Sequence, residues 1–180
     1  MKELRLFLFF CFTLVAIGFL ISMIVQQEAV LRQGGEFRFR TAPLDPFDAF
    51  RGRYIALSID NPTAAKPANV TVKPGSTVFA LIETAEDGFA RFSRISLRRP
   101  FSGPYLTCQV DSVSADRVSL RVPMDRYYME ESKAPRAERL FLQHSSGSRR
   151  DAYVVVAVKN GEPVVKQLFV GGKPVEEALK

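Results

Sequence analysis

Histidine occurs once in these 180 residues and cysteine twice, and that scarcity sets aside several functions at the outset. His144 has no second histidine and no cysteine near it in sequence, so the sequence predicts no zinc centre of the kind that needs about four such ligands. It reads as a surface side chain. Cys11 lies in an apolar run and Cys108 in the polar remainder of the chain, so the two cannot make a disulfide framework. Cys108 falls on the apolar face of an alternating stretch, Leu106 to Val110, with no basic neighbour to depress its pKa, and reads as a buried, inert thiol. Missing too are a nucleophile elbow, a phosphate-binding loop, a dinucleotide fingerprint and a Ser-Lys signature. No cofactor and no metal are expected. There is no aromatic-basic repeat, so nucleic acid is not an expected partner. The net charge is +6, with arginines in Arg91 to Arg99 and Arg136 to Arg150 and acids between them. This reads as a solvated, basic-leaning surface, with attraction to anionic lipid or polymer as the alternative.

What the chain does have is one long apolar run. Leu6 to Val25 carries no charge, interrupted only by Thr13, Gly18 and Ser22, and at about 1.5 Å per residue it matches a hydrocarbon core of roughly 30 Å. A cleavable signal would be shorter and end in a small-x-small site. This run ends Met23-Ile24-Val25-Gln26-Gln27, which predicts an uncleaved signal anchor. Lys2 and Arg5 precede it and Glu28 follows, so the positive-inside bias places the N-terminus in the cytoplasm and the remainder outside. Charged residues at 24% and apolar ones at 47% argue against both wholesale disorder and a polytopic membrane protein. The expected organisation is a cytoplasmic tip and span over 1–27, a juxtamembrane connector over 28–34 and one domain over 35–180, with Gln26 to Gly34 continuing the helix out of the bilayer until Gly34-Gly35 ends it.

Beyond the span the hydrophobic period falls to two. Phe37 and Phe39 alternate with Arg38 and Arg40; Tyr54 to Ile59 predicts a second strand, ended by Asp60-Asn61-Pro62. The segment from Pro62 to Asn69 reads as a loop, and Val70-Thr71-Val72 as a short strand. Thr77 to Thr84 is apolar on both faces and reads as a central strand. Glu86-Asp87-Gly88 turns the chain into Phe89 to Leu97, where the alternation slips between Phe92 and Ile95 as a bulge would make it. Tyr105 to Val113 and Val118 to Val122 form a hairpin, and Asp125 to Met129 a last amphipathic strand. One soluble helix is expected from Ser132 to about Gln143, capped by Ser132 with Pro135 in its first turn. Asn160-Gly161 between Ala152–Val158 and Pro163–Val170 is a strong hairpin signal, and Lys173 to Lys180 reads as a charged tail. The fold class is mainly β: a transmembrane helix, then a single barrel- or sandwich-like domain with one short helix.

The stretch from Pro43 to Ile59 is the most site-like. Two X-Pro steps, Asp45 and Asp48, and the run Arg51-Gly52-Arg53-Tyr54 lead straight into an apolar strand, so a polar loop is pinned at the strand's entrance. Asp45 and Asp48 could supply an acid and a base, or oxygen ligands for a hard cation. Asp-Pro and Asp-x-x-Arg are also ordinary turn and capping chemistry. Tyr127, Tyr128, Glu130 and Glu131 form the other polar-aromatic cluster, and a pocket would result where it met Tyr54. The candidate functional loop is therefore Asp45, Asp48, Arg51, Gly52, Arg53 and Tyr54, together with Tyr127, Tyr128 and Glu130.

Gly52-Arg53-Tyr54-Ile55-Ala56-Leu57-Ser58-Ile59 resembles the motif of the GDYXXLXY family of bacterial membrane-anchored proteins. Gly52, Tyr54 and Leu57 match; Arg53 stands where the name has Asp, and Ile59 where it has Tyr. The preceding Pro-x-Asp-Pro-x-Asp-x-x-Arg-Gly, the later Asp125 to Glu131, and the Val158 to Gly161 hairpin with Gly171 to Val175 extend the resemblance over most of the chain. It implies an anchored extracytoplasmic domain of uncharacterised activity, in the bacterial inner membrane and facing the periplasm, often encoded beside polytopic membrane proteins. The expected function is an accessory or binding module that docks on such a partner; an envelope enzyme using Asp45, Asp48 and Tyr54, or a basic module binding anionic lipid or cell-wall polymer, are the alternatives. Binding is favoured over catalysis, and nothing in the sequence sets an oligomeric state.

Overall fold

The computed structural model describes residues 2–42, 54–67, 70–146 and 150–179. A helix, α1, runs from Lys2 to Gln33. Its apolar residues from Leu6 to Val25 are exposed all round, and the stretch is long and apolar enough to cross a membrane. The hydroxyls inside it bond back to the helix: Thr13 Oγ1 to the Phe9 carbonyl at 2.9 Å and Ser22 Oγ to that of Phe19 at 2.7 Å. A medium without water requires such internal satisfaction.

No linker separates the helix from the domain. Strand β1, Gly35–Ala42, begins two residues after α1 ends. Gly34 makes the junction, its N–H donating to the Val30 carbonyl at 2.8 Å. A Cβ there would fall 2.5 Å from that oxygen and 3.0 Å from the Val158 nitrogen, so only glycine lets helix and strand approach this closely. Val30 is buried, and Lys159 Nζ donates to Gln33 Oε1 at 2.6 Å. The expected connector over 28–34 is thus the final turns of the helix, packed against the domain.

Two five-stranded β systems follow. In the first, β1 lies between β3 (Ser58–Ile59) and β10 (Tyr153–Lys159), and β11 (Glu162–Val170) and β12 (Lys173–Pro174) complete five strands. The second is a closed barrel in the order β4 (Thr63–Ala65), β6 (Ala90–Ser96), β5 (Thr77–Thr84), β7 (Tyr105–Val113) and β8 (Arg117–Arg121). The alternation Val78, Ala80, Ile82 on β5 points into the barrel and is buried. The bulge expected on β6 is present: Ala80 faces Ile95 and Ile82 faces Phe92, so Ser93 and Arg94 both lie opposite Leu81. Cys108 is buried as expected, and burial pushes its thiol up to about 12.

Several boundaries differ from the sequence reading. The strand expected over 54–59 is two: β2, Tyr54–Ala56, pairs with β9, Arg126–Tyr128, while β3 crosses to β1. Leu57 is the corner, its N–H donating to the Asp125 carbonyl at 2.8 Å. The expected loop after Pro62 contains β4, which closes the barrel by pairing parallel to β6 and antiparallel to β8. Val70 to Val72 forms no strand, although Val72 packs into the core. The helix α2 runs Ala134–Ser145, with Lys133 and not Ser132 at its N-cap; Ser132 Oγ donates instead to Glu130 Oε1 at 2.6 Å. Pro135 does sit in the first turn. His144 is not a surface residue: it is only 15% exposed, and its Nδ1 lies 2.6 Å from Asp151 Oδ1. The expected charged tail holds β12 and a short helix, α3 (Val175–Ala178), whose Val175 is fully buried.

One continuous cluster of buried side chains joins the two β systems, running from Val78 and Leu106 in the barrel through Phe39 and Val156 to Phe141 of α2 and Val175 of α3. Phe39 and Phe92 stack across the seam with ring centroids 5.4 Å apart. At about 25 cal/mol per Å² of apolar surface, such shared burial couples barrel and sheet into one unit.

Candidate functional site

Asp45, Asp48, Arg51, Gly52 and Arg53 lie outside the described residues. Of the other sequence-predicted site residues, the structure brings Tyr54 and Tyr128 together. They are paired across β2 and β9, with rings edge to face and centroids 5.8 Å apart. Arg126 lies over the Tyr54 ring at 5.1 Å. The Tyr128 hydroxyl, and then Asp125, hold the Arg126 guanidinium more firmly protonated than an ordinary arginine. Tyr128 is largely exposed, so this edge presents two aromatic rings and a cation at the surface, a set able to make cation–π contacts.

Tyr127 points the other way, as period two requires. It is buried, its hydroxyl donates to Glu176 Oε1, and Gln167 Nε2 bridges to Glu176 Oε2 at 2.5 Å. Burial first, and the Glu176 carboxylate second, push its phenol well above the usual range. Glu130 is engaged at the start of α2 with Ser132 and with Lys133 Nζ at 2.5 Å. Lys133 first, with Ser132, holds its carboxyl below the usual value. Tyr127 and Glu130 thus tie down β9 and α2, while Tyr54 and Tyr128 face outward.

A further concavity lies elsewhere, in the seam between barrel and sheet. A cleft of about 720 Å³ is lined by Phe39, Arg40, Asp60, Glu83, Arg91 and Arg117, among others. The Phe39–Phe92 stack underlies it. Arg40 lies 4.0 Å above the centre of the Phe89 ring. Asp87 at the rim gathers the cations: its Oδ2 is 3.3 Å from Arg91 Nη2 and 3.5 Å from Arg40 Nη2. The Phe89 N–H, donating to Asp87 Oδ1 at 3.1 Å, is the main cause that holds the carboxyl below the usual range, and Arg91 and Arg40 add to it. Across the cleft Arg117 Nη2 donates to Thr63 Oγ1 at 2.6 Å. Sequence reasoning missed this site because its residues come from β1, the turn after β3, both strands of a barrel hairpin, and β8. The legible signals were local: the Phe39-Arg40 alternation, the Asp60-Asn61 strand end and the Glu86-Asp87-Gly88 turn.

A lowered folded-state pKa means that Asp87 contributes stability above its unfolded pKa, and that this contribution is lost as pH falls through the folded one. Asp87→Asn keeps an acceptor for the Phe89 N–H but has no charge to titrate. The variant is expected to show a shallower loss of stability with acid than the parent below about pH 4. Denaturant titrations across that range check it; parallel pH profiles would refute the assignment.

Chemically the cleft offers three guanidinium groups, two carboxylates and aromatic walls. That combination suits recognition of a charged, partly apolar segment. Among the described residues no group of three or more His, Cys, Asp or Glu could hold a metal ion.

This is a mainly β domain, built of a closed five-stranded barrel and a five-stranded sheet, joined directly to an apolar helix long enough to cross a membrane. The family model described as GDYXXLXY protein matches residues 16–168, and the chain belongs to that family. No curated protein and no solved structure matches it. The family octet can be read in the fold from Tyr54 onward. Ile55, Leu57 and Ile59 are buried while Tyr54, Ala56 and Ser58 are half-exposed, so the spacing of Tyr54 and Leu57 puts one outside and one in the core.

Proposed function

We propose that this protein is a single-pass membrane protein, N-terminus inside, whose extracytoplasmic domain is an accessory binding module for an integral membrane partner. The observation that carries this reading is the continuous passage from α1 into β1. A domain on a flexible linker samples a volume set by linker length; one fixed to its span through Val30, Gly34 and the Gln33–Lys159 bond reaches only what lies beside it in the same membrane. Lys2 and Arg5 before the apolar run support the orientation. The Tyr54–Tyr128–Arg126 edge and the arginine-lined cleft are the surfaces suited to the partner, aromatic and arginine side chains being the usual anchors of interfaces.

The test is photo-crosslinking in native membranes, with the crosslinking residue placed at Arg91 or at Tyr128 of the full chain. A discrete adduct with a membrane-embedded protein is expected. Inserting a Gly/Ser segment of about ten residues between Gln26 and Gln27 frees the domain from its span and is expected to lower the adduct yield several-fold. Adducts with soluble proteins alone, or a yield indifferent to the insertion, would overturn the proposal. A reporter that works only in the cytoplasm, fused after Lys180, should be silent; its activity would refute the orientation.

A further inference from the structure

Among the described residues outside α1, three large apolar side chains stand exposed: Leu97, Phe101 and Tyr128. Two of them belong to one loop, residues 97–104, between β6 and β7. Phe101 is 109% exposed, touching essentially nothing of its own protein. The loop is not a frayed end. Pro100 and Pro104 restrict its backbone, the Arg98 N–H donates to Ser96 Oγ at 3.2 Å, and Arg99 Nε donates to the Tyr105 hydroxyl at 2.5 Å. Its other exposed side chains include two cations, Arg98 and Arg99.

The loop's place in the fold gives this pairing of apolar and basic groups a meaning. A groove of about 590 Å³ separates it from the β10–β11 turn, Val158 to Gly161. That turn touches the end of α1: Val158 pairs with Gly35, and Lys159 bonds to Gln33. From Val25, where the apolar run ends, to Gln33 the helix rises about 12 Å, a little more than the roughly 5–8 Å of headgroups on each side of a bilayer. The turn therefore stands just above the headgroups, and loop 97–104 is the part of the barrel beside it. The opposite end of β1 carries Arg40, which meets Asp87 of the β5–β6 turn, and faces away.

We propose that loop 97–104 enters the headgroup layer of the bilayer that α1 spans, with Leu97 and Phe101 seated at the headgroup–glycerol level and Arg98 and Arg99 against lipid phosphates. This rests on the reading of α1 as a membrane span. Exposed apolar groups flanked by cations match the composition of interfacial anchors, which gain affinity from buried area and from anionic lipid together. With α1 as one attachment and the loop as a second, the domain is fixed in tilt as well as in height.

The sequence contains no tryptophan, so Phe101→Trp introduces a single reporter at an exposed position where the fold is not at risk. The full chain is reconstituted into phosphatidylcholine vesicles, with and without phosphatidylglycerol, that contain lipids brominated either near the headgroup or near the chain end. Leu14→Trp reports on the span, and Glu86→Trp on the far end of the domain. Phe101→Trp is expected to emit at shorter wavelength than Glu86→Trp and to be quenched several-fold more by the shallow bromolipid. Phosphatidylglycerol should increase the quenching, and adding Arg98→Ala should reduce that increase. If Phe101→Trp behaves like Glu86→Trp while Leu14→Trp is quenched by the deep bromolipid, the loop proposal fails and the span stands. A blue shift without quenching means protein covers the loop and also overturns it. If Leu14→Trp is not quenched either, the span reading fails with it.

Discussion

Gly161→Ala is expected to lower the unfolding free energy of the domain by about 2–4 kcal/mol, against roughly 1 kcal/mol for Gly172→Ala. Both glycines adopt positive φ, +87° and +77°, so both substitutions incur the left-handed penalty of an L side chain. They differ in what the new methyl meets. At Gly172 nothing lies within 4 Å, whereas at Gly161 the Cβ would sit 2.6 Å from Thr107 Oγ1 and 2.6 Å from Tyr105 Cε2. Those atoms belong to β7 of the barrel, and the Thr107 N–H donates to the Gly161 carbonyl at 2.9 Å. The hairpin turn is thus a stitch between sheet and barrel, and a methyl group there forces the two apart. Thermal unfolding of the full chain in detergent measures the pair; the expected drop at Gly161 is roughly 5–15 °C for a domain of this size. Equal losses at both positions would show that the close approach to β7 contributes nothing.

Phe39→Ala should cost about 3–5 kcal/mol, the range for an aromatic side chain removed from a packed interior. Phe39 is 1% exposed and stacks on Phe92, so its removal empties the seam from the sheet side while leaving β1's backbone ladder in place. The denaturant midpoint should fall with little change in slope, because the surface exposed on unfolding is nearly the same. Phe39→Leu, which keeps most of the volume, should lose clearly less. Because Phe39 also underlies the arginine-lined cleft, crosslinking from Arg91 is expected to weaken with it. A loss below about 1 kcal/mol would mean that barrel and sheet do not depend on this contact.

Much of the fold was legible because local chemistry and final structure agree. Period-two alternation located β1, β5, β7, β8, β10 and β11; the slip between Phe92 and Ile95 announced a bulge. Asn160-Gly161 carries the two positive φ angles, 55° and 87°, of a tight hairpin. What could not be read depends on partners distant in sequence. Thr63-Ala64-Ala65 lies in the four residues between Pro62 and Pro67, with no strand signature of its own, and is a strand because β6 and β8 each offer it an open edge. Val70-Thr71-Val72 has strand composition but pairs with none of the described strands, and the barrel closes without it. Ser132 looks like a cap, but Glu130 takes its hydroxyl. For the site, the clusters around Tyr54 and Tyr128 were each visible, but their meeting was only a condition that the β2–β9 pairing meets; the cleft was not visible, because Arg40, Arg91 and Arg117 share no local spacing.

The order of the chain gives the two halves of the domain different histories. All five barrel strands fall between Thr63 and Arg121, so they can close as soon as that stretch has been made. β1 is synthesised before them, yet its main partner β10 follows by about 115 residues, a wait of roughly 6–23 s at ordinary rates of synthesis. Throughout that interval a strand bearing Phe37 and Phe39 has no neighbour on its β10 side, the condition under which strands recruit one another in error. Arg38 and Arg40 alternate with those phenylalanines, and charges on an unpaired edge oppose such recruitment. Arg38, exposed in the finished sheet, and Arg40, which lines its cleft, are in this way suited to guarding an unfinished one.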